Sequence, residues 1–170
     1  MSIQGKVWKY GDDVNTDVIF PGKYTYTITD RKEMAVHALE DLDPKFAKEV
    51  QPGDVVVAGR NFGCGSSREQ AATCLKEAGV AAVVAASFAR IFFRNAINEG
   101  LPLIECPEAI AAIEAGQPIE VDFEGGVLNA GGTSYRFPGI PESVMGIVRE
   151  GGLIAYVRKQ VSLRNNPGDN

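Results

Sequence analysis

The chain has 170 residues, of which 45% are hydrophobic and 23% are charged. This composition is typical of one globular domain with a substantial core, and it excludes disorder throughout the chain. The 17 Lys and Arg against 22 Asp and Glu give a net charge of −5, and no basic cluster typical of nucleic-acid binders occurs. The N-terminal segment is polar where a signal peptide needs an apolar region, and no apolar run could span a bilayer. We therefore expect a cytoplasmic protein.

The first half of the chain alternates predicted strands and helices. A short strand is expected over 6–10, and the polar loop GDDVNTD follows it. Asp30, with Glu33 three residues later, predicts the start of a helix. Residues 54–58 predict a buried strand, which leads through a glycine-rich loop into a helix that ends at a glycine.

The second half continues this pattern and then becomes richer in strands. VAAVVAA at 80–86 predicts a strand, and the helix after it is expected to be capped by Ser87 and to end at Gly100. We predict one α/β domain over 1–159 and a disordered tail over 160–170. The remaining predicted elements are strands at 101–105, 119–123, 126–129 and 133–137 and helices at 107–116 and 141–150.

Three cysteines, Cys64, Cys74 and Cys106, and a single histidine, His37, limit the chemistry available to the chain. A sparse, odd number of cysteines argues against a disulfide framework. No Cys-x-x-Cys pair occurs, so we do not expect this chain alone to form a zinc or iron–sulfur site. A Ser–His–Asp triad would have to recruit His37, for which a structural role on a helix is the stronger interpretation.

The loop after the 54–58 strand carries the clearest functional signal. Its sequence, GRNFGCGSSREQ, should lie at the carboxyl end of a strand, where α/β proteins bind ligands. Ser66 and Ser67 fall at the expected helix start, where anions are favoured, and Arg68 offers a guanidinium suited to a carboxylate or phosphate. The loop lacks the lysine of a Walker motif and the third glycine of a dinucleotide-binding motif. These residues alone indicate either an anion-binding loop or a tight turn capped by Ser66.

Three ordered motifs resemble the small subunits of the aconitase-like hydro-lyases, a family of dehydratases and isomerases of hydroxy acids. They are GDDVNTDVIFPGKY, VVAGRNFGCGSSREQA and VVAASFARIFFRNAINEGLP, and the similarity covers about residues 4–159. The resemblance implies a swivelling β/β/α domain like the last domain of aconitases. It also implies a separate large subunit that carries a [4Fe–4S] cluster. This chain would then hold part of an active site and be inactive alone.

The family's functional residues match individual positions of this chain. Ser66 matches the catalytic serine, whose alkoxide removes the proton beside a substrate carboxylate. Ser67 and Arg68 match positions that bind this carboxylate, and Asp17 matches an active-site acid that orients Arg68 or its neighbours. Because serine is a very weak acid, Ser66 needs the positive surroundings that a helix N-terminus and an arginine provide. Cys64, although it lies inside the motif, is interpreted as a packing residue.

A second loop, PGKYTYT at 21–27, matches the segment with which the family recognises the variable part of its substrate. Its candidate substrate-binding residues are Tyr24, Thr25 and Tyr26. Several relatives have an arginine that binds a distal carboxylate where this chain has Tyr26. A tyrosine offers a ring and a hydroxyl instead, which favours an alkyl-substituted acid such as isopropylmalate, although Lys23 could supply a charge. Homoaconitate-type and dimethylmalate- or citramalate-type acids remain alternatives.

Two further questions stay open from the sequence. Arg90 and Arg94 lie four residues apart on one predicted helix, so they either face the large subunit or are solvated. Their neighbours Ile91 and Phe92 have the spacing of core residues. A rival interpretation of another class is a regulatory domain that binds an anion through the GCGSSR loop without catalysing a reaction.

Overall fold

The computed structural model describes residues 1–165, and in this part of the chain seven strands form one mixed sheet in the order β4-β3-β2-β1-β5-β6-β7. β1 to β4 run parallel to one another, whereas β5, β6 and β7 join β1 through antiparallel pairs. β1 belongs to both halves, because its first residues pair with β5 and its last residues pair with β2. The strands are β1 (Ser2–Lys9), β2 (Val55–Ala58), β3 (Ala82–Ala85), β4 (Leu103–Glu105), β5 (Pro118–Asp122), β6 (Val127–Ala130) and β7 (Thr133–Arg136).

Helices fill the connections between the parallel strands and cover the sheet. α4 joins β2 to β3, α5 joins β3 to β4, and both pack on one face of the sheet. A 3₁₀ turn at Gly22–Tyr24 precedes α2. None of the helices described is both long and apolar enough to cross a membrane. The helices are α1 (Thr16–Ile19), α2 (Arg31–Ala35), α3 (Phe46–Glu49), α4 (Glu69–Glu77), α5 (Arg90–Glu99), α6 (Pro107–Ile110), α7 (Glu142–Arg149) and α8 (Leu153–Asn165).

The sheet separates two apolar layers, which explains why β2 and β3 are continuous apolar runs. Every residue of β2 and β3 is buried. Val56 and Ala58 pack with α4 and α5, whereas Val55 and Val57 point to the opposite layer, which the antiparallel strands complete. A central strand that is buried on both faces has no need of polar residues. The predicted strands at 54–58 and 80–86 are therefore confirmed.

Local capping signals were predicted correctly at two helix ends. The side chain of Asp30 accepts a hydrogen bond from the Glu33 backbone N–H at 2.9 Å and begins α2. Gly100 ends α5 with a φ of 79°, the left-handed conformation that glycine adopts without strain. The helix from Asp30 is shorter than its apolar pattern suggests, because the chain leaves helical geometry after Ala35 and Leu39 takes a φ of 55°.

Three sequence expectations are corrected. Ser66 and Ser67 do not lie in the first turn of α4, which begins at Glu69 with Arg68 as its N-cap. Ser87 does not cap α5, since its hydroxyl accepts a hydrogen bond from the Asn61 backbone N–H at 2.9 Å. Residues 160–165 are not disordered but complete α8, because the turn-forming residues begin only after them. The remainder of the predicted tail, 166–170, lies outside the described residues.

Candidate active site

The two loops that carry the candidate residues lie side by side because the pairing of β1 with β2 continues beyond the strands. Both loops leave the carboxyl ends of parallel strands, the edge at which α/β proteins bind ligands. Main-chain hydrogen bonds then join them along most of their length. These bonds run from Gly59 N to Gly11 O (3.0 Å), Asp13 N to Arg60 O (2.8 Å), Gly63 N to Val14 O (2.8 Å) and Thr16 N to Cys64 O (2.7 Å).

Ser66 lies at the end of this paired region with its hydroxyl exposed. Its backbone carbonyl accepts a hydrogen bond from Thr16 Oγ1 at 2.9 Å, and Thr16 is buried. Gly65 has a φ of 99°, and a Cβ there would lie 2.5 Å from Asn15 Oδ1, so only glycine allows this close approach. Within residues 1–165, the Ser66 and Ser67 hydroxyls have no hydrogen-bond partner. The main chain of Ser66 is fixed while its side chain is available.

Arg68 is held between α1 and the 21–27 loop, and half of its guanidinium is unpaired. Nη2 lies 2.6 Å from Asp17 Oδ1 in an ion pair. Nη1 is buried and has no hydrogen-bond partner among the described residues. A Cβ placed on Gly22 would lie 3.0 Å from Nη1, so the main chain of Gly22 packs directly against the guanidinium.

This geometry suits a carboxylate ligand. A buried cationic nitrogen without an acceptor is costly, and a bound carboxylate would supply the acceptor with the planar geometry that arginine favours. Arg68 is also the N-cap of α4, so the free N–H groups of the first turn, which carry partial positive charge, begin next to it. Both features favour a negative charge at this position.

The three candidate substrate-binding side chains of the 21–27 loop have different surroundings. The Tyr24 hydroxyl donates a hydrogen bond to Glu40 Oε1 at 3.0 Å, so it already has a partner within the protein. Thr25 Oγ1 is buried without a partner in the described part of the chain. Tyr26 is 95% exposed. Of these three side chains, only that of Tyr26 is exposed.

Glu40 anchors this loop, and sequence reasoning missed it. Its Oε1 accepts hydrogen bonds from Lys23 Nζ and the Tyr24 hydroxyl, both at 3.0 Å, and its Oε2 accepts one from His37 Nδ1. The His37 hydrogen bond, assisted by the other two, lowers the pKa of Glu40 to about 2. Glu40 is therefore ionised throughout the neutral pH range. No local pattern marks Glu40, because it follows the turn at Leu39 and its two partners in the loop, Lys23 and Tyr24, are 17 and 16 residues away.

The matches with known proteins cover the site that these contacts build. Residues 13–109, which include both motif loops, match the aconitase C-terminal domain family. The chain belongs to this family. The resemblance seen in the sequence motifs and the predicted α/β fold, like the last domain of aconitases, are thereby confirmed.

Individual members of the family are similar over nearly the whole chain. The chain is 51% identical over 162 residues to the 3-isopropylmalate dehydratase small subunit of Clostridium beijerinckii, covering 94% of this chain and 100% of that one. It is 50% identical to the 2,3-dimethylmalate dehydratase small subunit of Eubacterium barkeri, covering 92% and 97%. Among solved structures, a 3-isopropylmalate dehydratase from Methanocaldococcus jannaschii superposes with a TM-score of 0.92 at 41% identity, covering 99% and 100%.

The loop at 59–68, which carries Ser66 and Ser67, is called the serine loop below. An open groove of about 1030 Å³ lies beside it in this aconitase-type domain. Gly63 and Gly65 line it on one side, and the first turns of α5, with Arg90 and Arg94, line it on the other. The expectation that Ile91 belongs to the core is wrong, because Ile91 is 44% exposed, and the adjacent Phe93 is 38% exposed.

Phe92 is the α5 residue that packs inward. It is 1% exposed, and a Cβ on Gly63 would lie 2.2 Å from its side chain. The aromatic ring of Phe92 therefore fixes the serine loop against α5, whereas Ile91 and Phe93 lie at the surface. One helix thus supports the serine loop and presents apolar side chains next to it.

The cysteines do not form a cluster site in this chain. Cys74 and Cys106 are buried in the apolar layers on opposite faces of the sheet, and Cys64 is half-buried in the serine loop. Burial raises the pKa of all three thiols. No three His, Cys, Asp or Glu side chains in residues 1–165 are arranged to hold a metal ion. The [4Fe–4S] cluster that the family implies therefore does not fit the residues that the structure describes.

Proposed function

We propose that the chain is the small subunit of a two-subunit hydro-lyase that interconverts 2-isopropylmalate and 3-isopropylmalate by dehydration and rehydration, a step of leucine biosynthesis. The observation that carries the proposal is Arg68, which is paired with Asp17 on one side and unpaired on the other. A carboxylate bound at its free nitrogen would lie close to the serine loop. The similarity to named 3-isopropylmalate dehydratase small subunits supports the same reaction.

In the proposed mechanism, this chain binds the substrate carboxylate and moves the proton. Arg68 and Ser67 hold the carboxylate, and Ser66 Oγ removes the proton from the adjacent carbon. The negative charge that develops on the carboxylate in this step is stabilised by the guanidinium and by the N-terminus of α4. Asp17 keeps the guanidinium oriented. A [4Fe–4S] cluster on the large subunit, where the family resemblance implies it, would supply the Lewis acid for the leaving hydroxyl group.

A second substrate is supported by a specific finding. The identity to the 2,3-dimethylmalate dehydratase small subunit is 50%, against 51% for the 3-isopropylmalate dehydratase subunit, so overall identity does not favour either acid. Both acids carry alkyl groups and no distal carboxylate. We propose that Thr25 and Tyr26 face this alkyl part, because neither carries a charge that a third carboxylate would need. Homoaconitate-type acids are therefore the less favoured substrates.

The proposal includes a partner and a location. The large subunit would complete the active site above the serine loop, and the groove beside this loop, with Ile91, Phe93, Arg90 and Arg94 at its edge, is the surface we assign to that contact. Exposed apolar side chains next to a half-formed site are typical of a surface that a partner covers. We propose that the complex acts in the cytoplasm.

The deciding experiment is co-expression with the candidate large subunit, followed by assays with 3-isopropylmalate, 2,3-dimethylmalate and homoisocitrate. Ser66→Ala should lower kcat by about 10²- to 10⁴-fold, because it removes the proton-transferring group, while the complex still assembles. Ser143→Ala, on the exposed side of α7, is the matched control and should leave kcat unchanged. Near-normal turnover by Ser66→Ala would contradict the assigned role. Anion binding without turnover of any of these acids would favour the regulatory-domain alternative.

A further inference from the structure

Two side chains of the turn at Gly22–Tyr24, those of Lys23 and Tyr24, bind the same carboxylate, that of Glu40. We propose that Glu40 is a positioning residue that, through this turn, fixes the guanidinium of Arg68 for the substrate carboxylate. The inference rests on the proposed function, in which Arg68 binds this carboxylate. Glu40 itself does not touch the substrate, and it acts through Lys23, Tyr24 and the main chain of Gly22.

Glu40 binds the turn through the side chains of Lys23 and Tyr24. Two successive residues of the turn, Lys23 and Tyr24, donate to the same oxygen, Oε1, each at 3.0 Å. The other oxygen accepts from His37, whose ring also stacks on that of Tyr24 with 3.9 Å between the centroids. Hydrogen bonds to an ionised acceptor are stronger than neutral ones. The turn is therefore fixed by charge-assisted hydrogen bonds and by ring stacking.

The turn also contacts Arg68 directly. Gly22, the residue before Lys23, packs against the guanidinium so closely that a Cβ would lie 3.0 Å from Nη1 and 3.2 Å from Nη2. On the other side, Asp17 contacts Nη2 at 2.6 Å. Arg68 is thus bounded by an ion pair on one side and by main chain on the other. A shift of the turn by a few tenths of an ångström would change the space available to the guanidinium.

The main chain next to Glu40 is itself held in place at Leu39. Leu39 is fully buried and has a φ of 55°, a conformation that is uncommon for residues other than glycine and that persists only where the surroundings hold it. The Leu39 N–H donates to the Ile19 carbonyl at 2.8 Å. Ile19 is the last residue of α1, the helix that carries Asp17. Asp17 belongs to this short helix, and Glu40 is attached to it through the adjacent residue Leu39.

The structure also separates this anchoring from recognition. Lys23 and Tyr24 are bound to Glu40, whereas the next two side chains, Thr25 and Tyr26, have no polar partner in the described part of the chain. The loop is therefore held at its base and open at its tip. Glu40 fixes where the loop lies, and the exposed side chain of Tyr26 remains available to the substrate.

The test uses Glu40→Ala and Glu40→Gln in the complex with the large subunit. Glu40→Ala should raise KM for 3-isopropylmalate about tenfold and lower kcat by a smaller factor, because Arg68 is disturbed whereas Ser66 is held separately by Thr16. Glu40→Gln keeps an acceptor and should recover part of the loss. Asp41→Asn is the matched control, since Asp41 lies 3.8 Å from Lys23 without a hydrogen bond, and its KM should be that of the unchanged protein. A purely structural role of Glu40 would lower the amount of active complex and leave KM unchanged.

A second measurement does not depend on activity. In the full chain without its partner, the Nε–Hε NMR signal of Arg68, assigned with Arg68→Lys, should shift in Glu40→Ala and remain in place in Asp41→Asn. Gly22→Ala, which leaves Glu40 intact but adds a methyl group against the guanidinium, should shift it as well. An Arg68 signal that does not respond to Glu40→Ala overturns the inference, as does an active complex with unchanged KM. A shifted signal together with a complex that does not convert 3-isopropylmalate would uphold the positioning by Glu40 and refute the proposed substrate.

Discussion

The hydroxyl of Thr16 donates a hydrogen bond to the backbone carbonyl of Ser66, with 2.9 Å between Oγ1 and the carbonyl oxygen. The contact joins the first residue of α1 to the serine loop, and it leaves the Ser66 side chain unoccupied. Thr16 is only 2% exposed, so water cannot readily replace it. Thr16 therefore fixes the position of the main chain at Ser66, the proposed base.

Replacement of Thr16 by valine should impair the proton transfer more than the binding. Thr16→Val keeps the shape and leaves the Ser66 carbonyl without its donor, so we expect kcat to fall about tenfold with a smaller change in KM. Thr16→Ser keeps the hydroxyl and is the control, with a kcat close to that of the unchanged protein. Steady-state kinetics of the complex decide between the two, and equal kcat values for the valine and serine variants would contradict the role.

The pair of Arg68 and Asp17 should control substrate affinity. In Arg68→Lys, a single ammonium group cannot bind both Asp17 and a carboxylate in the geometry of a guanidinium, so KM should rise about a hundredfold. Asp17→Asn keeps a hydrogen-bond acceptor but loses the charge, and a rise of about tenfold is expected. Titration of the complex with a non-reacting dicarboxylate should show the same order of affinities. An Arg68→Lys complex with unchanged affinity would remove Arg68 from the binding site.

Tyr26 should influence which acid is preferred. Its side chain is 95% exposed in this chain, so any desolvation in the complex comes from the substrate and the large subunit. Tyr26→Arg should shift the ratio of kcat/KM for homoisocitrate over 3-isopropylmalate upward about tenfold, because a distal carboxylate would pair with the guanidinium and an alkyl group would not. Tyr26→Phe, which adds no charge, is the control. If the ratio is unchanged in an active Tyr26→Arg complex, Tyr26 does not contact the substituent.

The apolar edge of the groove should be needed for assembly. Ile91→Asp or Phe93→Asp should raise the Kd for the large subunit about a hundredfold, since a charge would have to be buried where an apolar side chain packs. Ile154→Asp is the matched control, because Ile154 is an apolar residue of α8 that is 70% exposed and does not line the groove. Sedimentation or gel filtration of the mixed subunits measures the effect. Equal loss of assembly in all three variants would indicate that the groove has no special role.

Asp54 should matter for stability and not for the reaction. It is 4% exposed, and its carboxylate accepts hydrogen bonds from Lys6 N (3.0 Å), Trp8 Nε1 (2.9 Å) and Gln51 N (3.0 Å) at the amino end of β2. Asp54→Ala leaves these donors unpaired and should lower the free energy of unfolding by about 3 kcal/mol. Urea unfolding checks this, with the exposed Asp41→Ala as control. The kcat and KM of the folded complex should not change.

The features that could be predicted from the sequence depend on neighbours along the chain. The cap at Asp30 and the apolar run at 55–58 need no knowledge of the rest of the fold, and both were predicted correctly. The resemblance to the aconitase-type family also implied that the 12–17 and 59–68 segments contribute to the same site. The two segments lie side by side because β1 pairs with β2 in parallel. This pairing cannot be read from local sequence patterns, and only the family resemblance indicated it.

The incorrect predictions concern residues whose surroundings are determined by groups distant in sequence. Ser87 has the sequence context of a helix cap, but the N–H of Asn61 occupies its hydroxyl. Ile91 has core spacing on α5, but the inward direction of this helix is determined by Phe92 packing against Gly63. Glu40 is in no motif, since its role depends on where Lys23 and Tyr24 lie after folding. Pattern and propensity describe a residue's neighbours in sequence and not its partners in space.

The main-chain ladder that joins the loop at 11–16 to the loop at 59–64 has a consequence for how the two subunits meet. Because these hydrogen bonds extend the sheet, the serine loop loses its conformational freedom when the chain folds and not when the partner arrives. Ordering of this loop therefore adds no entropic penalty to association. The encounter should resemble the docking of two preformed surfaces, with an association rate that responds to the surface charges of Arg90 and Arg94 and to ionic strength.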